Sequence, residues 1–111
     1  TVQELATAVL HHLNIIVVVI DNGMYGTIRL HQEKAYPGRV IGTDLKNPDF
    51  AAMAKSFGCA AFTVHETKDF APALEASLKN NLPSLIHVVI DPEAITPTTT
   101  LAAVRAGAQR A

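Results

Sequence analysis

The feature that most constrains the fold is the apolar run Ile15–Ile20, which ends abruptly in Asp21-Asn22-Gly23. Every residue of the run is β-branched, and such side chains favour β-strands. Because the run is apolar at every position rather than at alternate positions, it predicts a central strand of a parallel sheet, buried on both faces. A membrane-spanning helix needs about 20 apolar residues, so this run predicts no membrane span.

The rest of the chain alternates between helical and strand patterns. Helices are predicted at 2–13, 24–34, 48–57 and 68–79, strands at 60–64 and 85–90, and a terminal helix or tail at 101–111. Asn47 is expected to cap the third helix and Thr67 the fourth, because short polar side chains accept hydrogen bonds from the first helical amides. Strands separated by helices indicate an α/β fold, here a three-layer αβα arrangement with a partial parallel sheet.

Composition narrows the class of protein. A chain of 111 residues is enough for one domain. The formal net charge of −1 and the scattered Lys and Arg residues argue against nucleic acid or a charged membrane surface as a partner. The single cysteine, Cys59, excludes an internal disulfide and is expected to be a small buried hydrophobe. One thiol, together with a first segment that shows no basic leader, leads us to expect a cytoplasmic protein.

The polar residues after the run suggest a ligand site. Asn22 offers an amide oxygen, which is a hard ligand suited to Mg²⁺, and Gly23 permits a sharp turn. The helix that follows presents free amides and a positive dipole end, which suit a phosphate. These features together predict a magnesium-bridged phosphate. Asp-Asn-Gly is also ordinary turn chemistry, and composition and spacing alone favour that plain interpretation.

The five histidines do not form a predicted metal site. His65 and His87 lie in or beside strands, with no carboxylate or cysteine at ligand spacing. His11 and His12 end a helix, where a cation is favoured by the dipole, and His31 is expected at the surface.

Two further features are expected to have structural roles, and for one of them, Arg29, a functional role is the alternative. Arg29 follows the turn on the same predicted helix and is suited to a bidentate grip on a substrate carboxylate. A structural ion pair with Asp or Glu is the simpler expectation for it. Thr98–Thr100 lies in a polar segment that we expect to be a mobile linker.

Four segments, in order and without large gaps, resemble one known family. These segments are Gln3–Val9, Leu13–Arg29, His31–Gly58 and Pro83–Pro97. The family is the C-terminal, diphosphate-binding domain of thiamine diphosphate-dependent enzymes, and the chain is most similar to the acetolactate synthase, benzoylformate decarboxylase and related carboligase group. The resemblance covers essentially the whole chain.

The resemblance implies a metal site at the opening turn. The family's cofactor signature begins with Gly-Asp-Gly and ends with a pair whose second residue is Asn, here Asp21-Asn22. Asn22 matches the side-chain ligand of Mg²⁺, and Met24 matches the residue whose backbone carbonyl is a ligand. Gly23 and Gly26 match positions that shape the turn. The cofactor-binding set that the resemblance implies is Asn22, Gly23, Met24, Tyr25, Gly26 and Ile28, of which Tyr25 and Ile28 match positions facing cofactor and substrate.

The resemblance also implies what this sequence lacks. No Gly-Asp-Gly occurs in it, so we expect residues 1–97 to be a partial domain, without its first strand, and 98–111 to be a C-terminal tail or helix. The implied parent is a homo-oligomeric lyase or transferase that acts on 2-keto acids, with catalytic groups on its other domains and none here. The chain alone is then expected to be inactive, and to dimerise or exchange segments along its open sheet edge. A stand-alone, non-enzymatic module that binds another phosphate ligand or a protein partner remains the alternative.

Overall fold

The computed structural model describes residues 1–110. Within that range the α/β class predicted from the sequence is confirmed, with strands close to their predicted positions. The elements are α1 (Glu4–Leu10), β1 (Ile16–Asp21), α2 (Gly26–Ala35), α3 (Phe50–Ser56), β2 (Ala60–Val64), α4 (Thr67–Lys79), β3 (Ser84–Val89) and α5 (Leu101–Arg110). Of the predicted terminal helix, only residue 111 lies outside the described part.

All pairings in the sheet are parallel, and the strand order is β1-β3-β2. The central strand of the described chain is therefore β3, and the prediction that the first apolar run is central was wrong. Val18 and Ile20 of β1 are 43% and 60% exposed, whereas Ile86 of β3 is fully buried. β-branched residues favour strands in general, and they are accommodated in an edge strand as well as in a central one. The expected dimerisation or segment exchange along an open sheet edge stays a prediction.

The chain divides into two compact units. The first contains residues Thr1–Asp21 and Asn47–Val89, and the sheet lies in it. Helices α1 and α3 cover one sheet face around Leu5, Ala54 and Leu85, and α4 covers the other face around Val64, Ala73 and Ile86. This unit has the expected three-layer αβα arrangement. Cys59 lies in the first of these clusters, where burial raises the pKa of its thiol.

The second unit contains residues 22–46 and 90–110. Helices α2 and α5 pack together in it. The segment that we expected to be a mobile linker is a turn, in which Thr96 Oγ1 accepts from the amides of Thr98 and Thr99 at 3.3 and 3.1 Å. Thr100 then caps α5 by accepting from Ala103 N at 3.1 Å. Threonine hydroxyls can replace backbone partners in turns and caps, and the expected mobility of the segment stays a prediction.

Several helix starts differ from the sequence prediction. The cap of α3 is Asp49, which accepts from Ala52 N at 2.9 Å, and not Asn47. The residue before α4 is Glu66, so Thr67 is the first helical residue and not its cap. Asn47 and Asp49 both fit the capping pattern of α3, and tertiary contacts decide between them. The N-cap residue of α4, Glu66, makes no side-chain capping hydrogen bond.

Among residues 1–110, none of the helices combines the length and the apolar character needed to cross a bilayer.

Candidate functional site

Of the predicted site residues, Asn22, Gly23, Met24 and Tyr25 lie in the turn between β1 and α2, and Gly26 and Ile28 lie at the start of α2. Gly23 has φ +66°, a conformation that disfavours any side chain with a Cβ. Residues 43–45 run alongside the turn and hold its backbone, because Tyr25 N donates to Thr43 O at 2.8 Å and Leu45 N donates to Gly23 O at 2.9 Å. These bonds delay the start of α2 to Gly26, two residues after the predicted Met24.

The Asn22 side chain folds back over the beginning of α2. Its Oδ1 accepts from Met24 N at 3.2 Å. A Cβ on Gly26 would lie 2.7 Å from Asn22 Nδ2 and 3.1 Å from Ile95 Cδ1. The absence of a side chain at Gly26 is therefore what allows the Asn22 amide to lie in this position, and this explains a glycine at the first residue of a helix.

The N-terminus of α2 is accessible and suited to an anion. Tyr25 takes the N-cap position, and within the described chain its side chain makes no capping hydrogen bond. The side chains of Tyr25 and Ile28 are 51% and 53% exposed. The first amides of a helix carry a partial positive charge and point outward, so this end of α2 presents donors beside two large exposed side chains.

The amide and carbonyl oxygens at the turn are of the kind that binds magnesium. An amide oxygen has two lone pairs, and Met24 N uses one of those on Asn22 Oδ1. Backbone carbonyls and amide oxygens are hard ligands, but Mg²⁺ in proteins usually takes a carboxylate as well. Within residues 1–110 there is no group of three or more His, Cys, Asp or Glu side chains that could hold a metal ion. The oxygens of the turn are therefore chemically suited to Mg²⁺ but do not include a carboxylate.

A partly buried hydrogen-bonded group, which the sequence analysis missed, lies at the end of β1. His87 Nε2 lies 3.0 Å from Asp21 Oδ2, and Asn47 Nδ2 donates to Asp21 Oδ1 at 2.7 Å. The Phe50 ring meets the His87 ring edge to face, with centroids 5.1 Å apart. His87 is opposite Val19 in the sheet register, and Asp21 follows Val19 by two residues, so both side chains share one face. Only the strand pairing could have revealed this contact between residues 66 positions apart.

Arg29 makes a structural ion pair, which confirms the simpler of the two expectations. Its Nε lies 3.1 Å from Glu33 Oε1. Glu33 is fully buried and also binds Arg105, through Nε at 2.8 Å and through the terminal nitrogen at 2.7 Å, while Gly38 N donates to it at 2.9 Å. The hydrogen bonds from Arg105, with smaller contributions from Gly38 and Arg29, outweigh the opposing effect of burial and lower the pKa of Glu33 to about 2.

The other histidines lie where the sequence analysis expected them. His11 and His12 follow α1 at the surface, and the side chains of His31 and His65 are exposed.

The chain matches one protein family over most of its length. A sequence model of the family described as "Thiamine pyrophosphate enzyme, C-terminal TPP binding domain" matches residues 1–88. The acetolactate synthase large subunit of Corynebacterium glutamicum is 32% identical over 100 residues, which cover 85% of this chain and 16% of that protein. The pyruvate oxidase of Lactiplantibacillus plantarum is 34% identical over 92 residues, which cover 81% of this chain and 15% of that protein.

Solved structures of thiamine diphosphate-dependent and benzoylformate decarboxylases also resemble this chain. The benzoylformate decarboxylase from Polynucleobacter necessarius superposes with a TM-score of 0.71 at 29% identity, over 83% of this chain and 17% of that one. The thiamine diphosphate-dependent 4-hydroxybenzoylformate decarboxylase of Rhodococcus jostii superposes with a TM-score of 0.71 at 26% identity, over 81% of this chain and 17% of that one. The chain thus spans about one sixth of the length of the relatives that it matches.

Proposed function

This chain belongs to the C-terminal TPP-binding domains of thiamine pyrophosphate enzymes, and from that membership we propose that it forms the diphosphate- and Mg²⁺-binding half-site of an enzyme acting on 2-keto acids. TPP, thiamine pyrophosphate and thiamine diphosphate are the same cofactor. The parent enzyme is an acetolactate synthase-like carboligase or decarboxylase. The observation that carries the proposal is the position of the Asn22 amide over the start of α2, which Gly26 makes possible.

Each residue of the turn has a role in this proposal. Asn22 Oδ1 and the Met24 carbonyl are the two protein oxygens offered to Mg²⁺. The first amides of α2 bind the diphosphate, because helix N-termini favour anions. Tyr25 and Ile28, which are half exposed at the same helix end, form the wall of the pocket. When bound, thiamine diphosphate supplies the electron sink for bond cleavage beside the 2-keto carbonyl.

We assign no catalytic acid or base to this chain. Of its histidines, His31 is the one on the helix that carries the site, and its side chain is exposed. Proton transfer is then the task of the remaining domains of the parent enzyme, which we propose to be a homo-oligomer. A cytoplasmic location belongs to the same proposal, and the buried free thiol of Cys59 agrees with it.

The test is calorimetric titration of thiamine diphosphate into the complete polypeptide that contains this chain, with and without Mg²⁺. We expect binding that requires Mg²⁺. Asn22→Ala should weaken it at least about tenfold, as expected when a hydrogen-bonding or metal-binding oxygen is lost. The matched control is Asn14→Ala, since Asn14 is exposed near the opposite end of β1 and should leave binding unchanged. Binding that needs no Mg²⁺, or that survives Asn22→Ala at full strength, would refute the assignment.

A further inference from the structure

The carboxylate of Asp21, the last residue of β1, is held on both of its oxygens. Asn47 Nδ2 donates to Oδ1 at 2.7 Å, and His87 Nε2 lies 3.0 Å from Oδ2. The side chains of His87 and Asp21 are only 9% and 11% exposed. Two donors from two different segments therefore fix the orientation of one side chain at the point where the chain leaves the sheet.

The contact with Asp21 bears on which ring nitrogen of His87 donates a hydrogen bond. An ionised carboxylate only accepts hydrogen bonds, so His87 Nε2 carries the proton in this contact. Nδ1 is then left buried, and it has no hydrogen-bond partner among residues 1–110. An apolar side chain of similar size would fill the same space without burying an unsatisfied polar atom. Packing alone does not account for a histidine at this position, and the hydrogen bond to Asp21 does.

The same hydrogen bonds bear on the role of Asp21. Mg²⁺ usually takes a carboxylate, and Asp21 is the acidic residue directly bonded in sequence to Asn22. Its oxygens are, however, turned toward His87 and Asn47, on the face of β1 that Val19 shares with Leu85 and the α3 side of the sheet. These contacts anchor the carboxylate, and with it the end of β1, to β3 and to the segment before α3.

We propose that His87 and Asn47 are positioning residues for the metal ligand Asn22, and that they act by anchoring Asp21. The restraint passes through the Asp21–Asn22 peptide bond, which fixes the residue from which the turn begins. Since the amide of Asn22 must be presented to Mg²⁺ in one orientation, a fixed starting point lowers the cost of ordering the site when the metal binds. The part of this proposal that concerns Mg²⁺ rests on the proposed function.

The first experiment needs no cofactor. In the complete polypeptide, His87→Phe removes the donor and keeps a ring beside Phe50. We expect hydrogen exchange of the Met24 and Tyr25 amides, which are hydrogen-bonded in the turn, to become about tenfold faster, the effect of losing one charge-assisted hydrogen bond. His65→Phe, at an exposed position beside β2, is the control and should change nothing. Unchanged exchange in His87→Phe would overturn the positioning role.

The second experiment reverses the polarity of the pair. In the double variant Asp21→Asn/His87→Glu, the new amide can donate to the new carboxylate and still accept from Asn47. We expect His87→Phe to raise the Mg²⁺ concentration needed for half-maximal thiamine diphosphate binding about tenfold, and the double variant to return it to within about threefold of the original. Failure of the double variant, with the original protein binding normally, would show that the hydrogen bond between positions 21 and 87 does not position Asn22, and would overturn the proposal. An original protein that shows no Mg²⁺-dependent binding would instead refute the proposed function.

Discussion

Replacing Glu33 by glutamine should strongly destabilise the helix pair α2–α5. The Glu33 carboxylate is fully buried and is bound by Arg105, Arg29 and the Gly38 amide. Glutamine has nearly the same shape but is neutral, and its amide group would face guanidinium donors without accepting from all of them. A buried ion pair that loses one partner leaves the other charge uncompensated, and this is costly.

The size of the effect follows from the pKa of Glu33. Its decrease from 4.5 to about 2 corresponds to about 3 kcal/mol of stabilisation of the ionised form, at about 1.4 kcal/mol per pH unit. Because the pKa is lower in the folded state than in the unfolded state, this stabilisation is fully present above about pH 4.5 and is lost as the pH falls toward 2. At pH 3 only about 1.4 kcal/mol of it should remain.

The assay is urea denaturation of the chain followed by circular dichroism, at several pH values between 7 and 3. The free energy of unfolding of Glu33→Gln should be lower than that of the original by about 3 kcal/mol at pH 7, and the difference should shrink by more than half at pH 3. Glu75→Gln is the matched control, since Glu75 pairs with Lys79 on α4 at 3.6 Å with both side chains well exposed, and it should cost less than about 0.5 kcal/mol. A loss below about 1 kcal/mol for Glu33→Gln, or a loss that does not change with pH, would refute the reasoning.

Two further predictions concern the site. Gly26→Ala should weaken Mg²⁺-dependent thiamine diphosphate binding in the complete polypeptide, because the added Cβ would lie 2.7 Å from Asn22 Nδ2. Gly107→Ala is the control and should leave binding intact, since a Cβ there would meet no atom of the described chain within 4 Å. Equal binding by both variants would contradict this role of Gly26. The isolated 111-residue chain should bind thiamine diphosphate with Mg²⁺ weakly or not at all in calorimetric titration, since it offers Mg²⁺ two neutral oxygens and no carboxylate. Tight, Mg²⁺-dependent binding by the isolated chain would contradict the proposal that it holds only half of the site.

Much of the first unit could be predicted from sequence because its signals are local. The run around Val18 predicted β1, and the helical pattern at 48–57 predicted α3. Position within the sheet was not predictable in this way, because strand propensity is the same at an edge and in the centre. The caps were placed wrongly where two candidates lay close together, as Asn47 and Asp49 do, since tertiary contacts decide between them.

In the candidate site, too, local features could be predicted from sequence and long-range contacts could not. The turn after β1 was identified from its residue types and from the family resemblance, and the roles of its residues stay predictions. The contacts of His87 with Asp21 and of Arg105 with Glu33 were missed, because their partners lie 66 and 72 positions away. Such contacts depend on sheet register and helix packing, and no local pattern carries them.

The proposed Mg²⁺ half-site is tested most directly by a high-resolution crystal structure of the complete polypeptide with thiamine diphosphate and Mg²⁺. We expect a metal ion bound by Asn22 Oδ1 and the Met24 carbonyl at about 2.1 Å, with the diphosphate at the N-terminus of α2 and the Asp21 carboxylate still directed toward His87. A bound cofactor whose metal contacts neither Asn22 nor Met24 would contradict the assignment of these two ligands.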